Sequence, residues 1–138
     1  MGALRYLLDT NILSALAREP QGRVYASLAA RLPDTACTSI VVASEIRFGL
    51  QRGASARVHL QMNTLLAAID ILPLEAPADA HYGDIRAHLE RLGQPIGAND
   101  LLIAAHARSL GLVLVTHNLR EFQRVPGLVV EDWLAAAA

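Results

Sequence analysis

Short apolar runs that alternate with helical hydrophobic patterns constrain the fold of this chain more than any other feature. Five runs are predicted strands, at residues 4–8, 36–39, 71–74, 112–116 and 127–130. Helical periodicity between them predicts a helix that starts near residue 11 and others over residues 24–32, 40–50, 55–69, 79–92 and 99–110. Strands that are apolar on both faces are typical of parallel sheets covered by helices. We therefore predict an α/β fold, a three-layer α/β/α sandwich with a short central parallel sheet.

Length and composition bound the remaining possibilities. The 138 residues, 53% of them hydrophobic, suit one domain over residues 1–138. No run reaches the roughly 18 apolar residues of a membrane span, and no secretion signal opens the chain, so we expect a cytoplasmic protein without membrane contact. Cys37 is the single cysteine, so no internal disulfide can form. A net charge of −1 argues against binding nucleic acid through bulk positive charge.

Polar residues stand where two of the predicted strands end. Asp9 follows the first strand, and Thr116 and Asn118 close the fourth. Functional groups of open parallel sheets gather beyond the carboxyl ends of the strands, so we expect these residues to converge. Each also has a purely structural explanation, since Asp9 suits a helix N-cap and the other two suit a polar loop.

Two further carboxylates lie in helical patterns. Glu45 falls beside the apolar stripe of the helix predicted over residues 40–50, and an ion pair with Arg47 or another arginine is its structural alternative. Asp100 falls in the first turn of the most apolar predicted helix, where the helix dipole alone would favour a negative charge. Asn99 beside it is predicted to cap that helix.

Gathered in one place, these groups would need a cation. Three carboxylates at about 4 to 6 Å would repel by about 3 to 4 kcal/mol for each pair at an effective dielectric near 20. The oxygen ligands that they and Asn118 offer favour magnesium, with manganese as a substitute, over zinc. Such an ion can activate water and stabilise an in-line displacement at phosphorus. The residues therefore predict a metal-dependent nuclease.

Three blocks of sequence resemble the PIN-domain ribonucleases, and within them the VapC-type toxins of bacterial toxin–antitoxin pairs. They are Leu8-Asp9-Thr10-Asn11, then Ser44-Glu45-Ile46-Arg47-Phe48-Gly49, then the stretch from Gly93-Gln94-Pro95-Ile96-Gly97-Ala98-Asn99-Asp100 to Thr116-His117-Asn118-Leu119-Arg120-Glu121-Phe122. The order and spacing of the blocks are more specific than any one of them. The resemblance extends over almost the whole chain.

The resemblance implies a magnesium-dependent endoribonuclease with a PIN-like fold. Asp9, Glu45 and Asp100 would be its acidic metal ligands, and Asn118 would occupy the fourth catalytic position of the family. That position is often aspartate, so asparagine removes one negative charge. Thr116 would support the site through its hydroxyl, and Asn11 would orient the loop after Asp9.

Partners follow from the same resemblance. It implies a homodimer and a VapB-like antitoxin whose tail blocks the acidic pocket and whose DNA-binding domain brings the complex to operator DNA. The stretch over residues 93–100 resembles the branch that cuts initiator transfer RNA in the anticodon stem-loop. Candidate phosphate contacts are Arg47, Arg86 and Arg120, with Arg5 and Arg124 as further candidates, although exposed arginines are commonly only solvated.

Two other functions remain open at this stage. The chain could be a weakly catalytic PIN module that acts mainly as an operon corepressor with its antitoxin, although intact acidic positions speak against this. It could also be a metal-dependent phosphatase built around Asp9. The Asp-x-Asp pattern of such phosphatases is absent, because Asn11 occupies the second place.

Overall fold

Residues 2–135, which the computed structural model describes, form five strands and seven helices. In chain order they are β1 (Leu4–Leu8), α1 (Thr10–Arg18), α2 (Arg23–Arg31), β2 (Thr35–Ser39), α3 (Ile40–Gln51), α4 (Ala56–Ala68), β3 (Asp70–Leu72), α5 (Ala78–Arg91), α6 (Ala98–Leu110), β4 (Val113–Val115), α7 (Leu119–Phe122) and β5 (Val130–Glu131).

The strands form one parallel sheet in the order β3-β2-β1-β4-β5. From β1 the chain steps outward through β2 to β3, then crosses back to place β4 on the other side of β1. Right-handed connections then put α1 to α4 on one face and α5 and α6 on the opposite face. The packing agrees, since α1 contacts α2 and α4, and α5 contacts α6. The predicted three-layer α/β/α fold is confirmed.

The core lies around the two central strands. Leu7 and Leu8 of β1 and Leu114 and Val115 of β4 are fully buried, as strands covered on both faces should be. Helix α6 contributes an almost continuous buried surface, in keeping with its apolar sequence. Trp133 packs edge-on against Tyr6, with ring centroids 5.1 Å apart, and so fastens the end of the described chain to β1.

Several local predictions differ from the structure. The short helix α7 was not predicted, because four residues carry too little periodicity to register. Strand β3 ends at Leu72, just before Pro73, and lies at the sheet edge, where a neighbouring proline is tolerated. Strand β5 begins only at Val130, after Gly127 has turned the chain with a φ of 74°. Across residues 2–135, no helix combines the length and the apolar character that crossing a membrane requires.

Candidate active site

The register between β1 and β4 brings Asp9 and Thr116 together. Leu8 pairs with Val115, so the next residue of each strand emerges at the same edge of the sheet, where the strand order reverses. The Asp9 backbone N–H donates to the Val115 carbonyl at 2.9 Å. The Thr116 hydroxyl donates to Asp9 Oδ2 at 2.8 Å. Asp9 is only 5% exposed and Thr116 is fully buried.

Asp9 is also the N-cap of α1. Its Oδ1 accepts a hydrogen bond from the Thr10 backbone N–H at 2.8 Å, so the capping interpretation is confirmed. Burial raises the pKa of Asp9 above its ordinary value, and the negative charge of Glu45 adds to that rise. The hydrogen bonds from Thr116 and Thr10 oppose the shift by stabilising the ionised form.

Glu45 reaches the same place from α3. Its Oε1 accepts from the Thr10 hydroxyl at 2.9 Å, and its Oε2 accepts from the Asn99 side-chain amide at 3.5 Å. Within residues 2–135, the alternative ion pair between Glu45 and Arg47 does not form. The prediction that Asn99 caps α6 is wrong, because the helix begins at Ala98 after Gly97 and Asn99 lies inside its first turn.

Asp100 completes the group from the first turn of α6. Its pKa is raised to about 7, first by burial, then by a hydrogen-bonding contact with Glu121, and then by the charges of Asp9, Glu121 and Glu45. Carboxylates raise one another's pKa only when they lie close together in a partly desolvated space. The structure therefore brings together the three acidic residues that the sequence singled out.

Glu121 is a fourth carboxylate that the sequence reasoning did not select. It lies on α7, beside Asp100. The Asn118 side-chain amide donates to Glu121 Oε2 at 3.1 Å, and the Asn118 backbone N–H donates to Thr116 Oγ1 at 3.0 Å. Asn118 thus lies at the site but positions Glu121 there. The three-residue spacing between the two was the available signal, since it fits one helical turn.

Asn11 connects the first turn of α1 to the loop that follows β4. Its Oδ1 accepts a hydrogen bond at 3.1 Å from the backbone N–H of His117, in the loop that follows β4. The His117 ring is itself engaged, with Nδ1 2.9 Å from Asp132 Oδ2. The bond from His117 fixes the start of α1 relative to that loop, which is a positioning role.

The site offers oxygen donors and uncompensated negative charge. None of the ion pairs among residues 2–135 involves Asp9, Glu45, Asp100 or Glu121. In this part of the chain, no three His, Cys, Asp or Glu side chains close into a ready-made metal cage. An all-oxygen set with excess negative charge fits a hard divalent cation. Burial raises the pKa of Cys37 to about 12, which makes its thiol a poor nucleophile.

The candidate RNA-contact arginines fall into two groups. Arg86 bonds to Glu90 at 3.1 Å and to the Tyr82 hydroxyl at 3.0 Å. Arg5 lies 3.9 Å from Asp34, and Arg124 donates to the Pro95 carbonyl at 3.3 Å. The second group consists of Arg47 and Arg120. Both are exposed, and neither makes a side-chain hydrogen bond or ion pair within residues 2–135.

Several known proteins are similar to this chain in sequence or in structure. The PIN domain family matches residues 6–128. A Shigella flexneri protein named tRNA(fMet)-specific endonuclease VapC is 39% identical over 135 residues, which cover 94% of this chain and 98% of that protein. Ribonuclease VapC2 of Haemophilus influenzae is 37% identical over 136 residues, covering 95% and 99%. The crystal structure of VapBC2 from Rickettsia felis, bound to a promoter DNA fragment, superposes with a TM-score of 0.87 at 32% identity, covering 94% and 99%.

Proposed function

The chain belongs to the PIN-domain family, and from that premise we propose that it is a magnesium-dependent endoribonuclease, the toxin of a VapBC-type pair. One observation carries the proposal. Asp9, Glu45 and Asp100 are far apart in sequence but meet at the switch point of the sheet, where the charge of Glu45 raises the pKa of Asp9 and the charges of Asp9 and Glu45 raise that of Asp100. No arginine within residues 2–135 forms an ion pair with them. Perturbed carboxylates at such a place are typical of a catalytic site.

Asp9, Glu45 and Asp100 are the residues that would hold the metal. Bound there, magnesium would supply an activated water and charge stabilisation for in-line attack on a phosphodiester. The chain's own groups prepare this arrangement. Thr116 and Thr10 hold Asp9 and Glu45 through hydroxyl hydrogen bonds, so the carboxylate oxygens keep their orientation.

Glu121 and Asn118 form the other side of the proposed site. Burial and the contact with Glu121 are the two largest causes that raise the pKa of Asp100, so Glu121 lies directly beside the proposed metal ligand. Asn118 fixes the Glu121 carboxylate by donating to Oε2. Glu121 is therefore oriented to accept a proton as water attacks phosphorus.

The proposed substrate is transfer RNA, with the initiator species as the first candidate. The name of the Shigella flexneri relative supports this choice, as does the resemblance of residues 93–100 to the initiator-cleaving branch. Arg47 and Arg120 are the proposed phosphate contacts, because their guanidinium groups are exposed and uncommitted within the described part of the chain.

The proposed partner is a VapB-like antitoxin. The Rickettsia felis neighbour is a toxin–antitoxin complex on promoter DNA, which supports a similar assembly for this chain. With a net charge of −1, this chain would reach operator DNA through the antitoxin. Pairing with a second copy of the chain stays a prediction.

The test compares wild type with Asp100→Asn on total transfer RNA, with Asp79→Asn as the matched control. Both aspartates lie in the first turn of a helix, but Asp79 is exposed on α5. We expect wild type and Asp79→Asn to cut in magnesium or manganese, and Asp100→Asn and all EDTA samples to leave the RNA intact. Equal cutting by both variants, or cutting in EDTA, would contradict the proposal. Sequencing the fragment ends identifies the transfer RNA and the cleaved bond.

A further inference from the structure

A groove leads away from the acidic residues between α1, α3 and α4. It has a volume of about 350 Å³ and shares Thr10 and Glu45 with the site. From there it runs along α1 past Ser14 to Arg18. Arg18 lies eight positions after Thr10 in the helix, which is about 12 Å along the axis. Whatever occupies the groove therefore touches the catalytic edge at one end and a cation at the other.

The walls of the groove differ from its rim. Ile46, Leu50 and Met62 form an apolar, nearly buried surface within it. Polar groups border this surface, among them the Gln61 amide, and the exposed Arg18 makes no ion pair within residues 2–135. A suitable occupant has a flat apolar face, polar edges and a negative charge, which is the chemistry of a nucleotide.

Gly49 keeps the groove open. It lies in α3 among the lining residues, and a Cβ there would meet no atom within 4 Å. Its φ is outside the left-handed region, so its conformation does not call for glycine. Glycine inside a helix is less stable than alanine, and among residues 2–135 no close contact requires glycine at this position. A larger side chain at position 49 would therefore project into the groove.

We propose that this groove binds one unpaired nucleotide of the RNA substrate, next to the phosphodiester at the acidic site. The base lies against Ile46 and Leu50, and Arg18 bonds to the following phosphate. A duplex is too wide to enter, so the groove selects a single-stranded loop whose base can turn outward. The inference rests on the proposed ribonuclease function and adds the part of the RNA that is recognised.

The test fills the groove with Gly49→Leu and uses Gly83→Leu as the matched control. Gly83 lies in α5, is exposed and likewise has no atom within 4 Å of a built Cβ. Leucine favours a helix more than glycine does, so the Tm of both variants should rise. We expect kcat/KM on transfer RNA to fall at least about tenfold for Gly49→Leu, mainly through KM, and to stay at the wild-type value for Gly83→Leu.

A second variant, Arg18→Ala, tests the phosphate contact without changing a helix glycine. It should raise KM and reduce the slope of log KM against log salt by roughly 0.7, the loss of one single-strand phosphate contact. Normal cleavage by both Gly49→Leu and Arg18→Ala, with an active wild type, would overturn the groove and leave the ribonuclease standing. If both variants cleave normally but are inhibited less by the antitoxin, the groove binds the antitoxin, and the proposed nucleotide site is overturned as well. An inactive wild type would remove the ribonuclease function and this inference together.

Discussion

The Thr116 hydroxyl donates a hydrogen bond to Asp9 Oδ2 at 2.8 Å, between two residues that are buried and 107 positions apart. Each is the first residue beyond a central strand, and the pairing of Leu8 with Val115 sets their separation. The same Thr116 oxygen accepts the Asn118 backbone N–H at 3.0 Å. One hydroxyl therefore stabilises the ionised form of Asp9 and fixes the turn that leads to α7.

Replacing Thr116 with valine should weaken both stability and catalysis. Valine keeps the shape but leaves a buried carboxylate oxygen and a backbone N–H without partners, at a cost of about 1 to 3 kcal/mol in the free energy of unfolding. The pKa of Asp9 should rise further, because the hydrogen bond that lowers it is lost. Urea unfolding and the magnesium concentration for half-maximal cleavage measure the two effects. Thr116→Ser retains the hydroxyl and should behave like wild type, and a serine variant as impaired as the valine variant would contradict this role.

The convergence of Asp9 with the end of β4 was predictable from sequence. Continuous apolar runs indicate parallel strands, and parallel strands end at a common edge, so the residues that follow them must meet. The placement of Glu45 and Asp100 on helices was also predictable, because both lie within helical hydrophobic patterns. Their distances to Asp9 were not, because those distances depend on how α3 and α6 cross the sheet, which periodicity does not encode.

The roles of Glu121 and Asn99 could not be predicted from the sequence. Glu121 lies on a helix of four residues, shorter than any hydrophobic period can identify, and its role depends on Asp100 from another helix. Asparagine is a common N-cap residue, but the Asn99 amide donates instead to Glu45, which lies 54 positions earlier in the chain. The side chain thus bonds to a residue of another helix, a contact that the local sequence pattern does not encode.

Asn118 should act on cleavage only through Glu121. We expect Glu121→Gln to lower kcat about 10- to 100-fold, because an amide cannot replace the carboxylate beside Asp100. Asn118→Ala should lower kcat by a smaller factor, since it releases Glu121 without removing it. Combined, the two changes should be no worse than Glu121→Gln alone. Single-turnover cleavage in saturating magnesium measures all three variants, and effects that multiply would mean that Asn118 acts independently.

Asp100 should make the metal-free protein less stable as the pH rises. Its pKa is about 7 in the folded state and ordinarily 3.8, so between those pH values the folded state holds a proton that the unfolded state has lost. The free energy of unfolding therefore falls with rising pH by up to about 1.4 kcal/mol for each pH unit. Asparagine resembles the protonated carboxyl, so Asp100→Asn should gain stability relative to wild type from about pH 5 to pH 7.

Urea unfolding in EDTA at several pH values measures this difference, and Asp79→Asn serves as the control. Comparing variants cancels the contributions of other titrating groups, which affect both proteins equally. Magnesium should reduce the difference at neutral pH, because binding to the ionised site stabilises the wild-type folded state. A gap between Asp100→Asn and wild type that stays constant with pH would refute the raised pKa.

Ser39 and His106 should be energetically coupled. Ser39 Oγ caps α3 by accepting from the Val41 backbone N–H at 3.0 Å, and it lies 2.8 Å from His106 Nδ1 on α6. The pair thus joins the helix that carries Glu45 to the helix that carries Asp100. Ser39→Ala and His106→Leu should each destabilise the protein, Ser39→Ala by about 0.5 to 2 kcal/mol. The double variant should lose at least about 0.5 kcal/mol less than the sum, because it leaves neither the serine hydroxyl nor the imidazole nitrogen facing a lost partner.

The same pair should affect cleavage, and Ser55→Ala provides the control. Ser55 caps α4 through a hydrogen bond from the Val58 backbone N–H at 3.2 Å, so its loss should cost similar stability without lowering kcat.

Burial lowers the pKa of His106, so below about pH 6.5 the unfolded state binds a proton that the folded state does not bind. Wild type should therefore lose stability relative to His106→Leu as the pH falls through that value. Additive free energies in the cycle, or equal losses of kcat in Ser39→Ala and Ser55→Ala, would show that the contact does not position the two carboxylates.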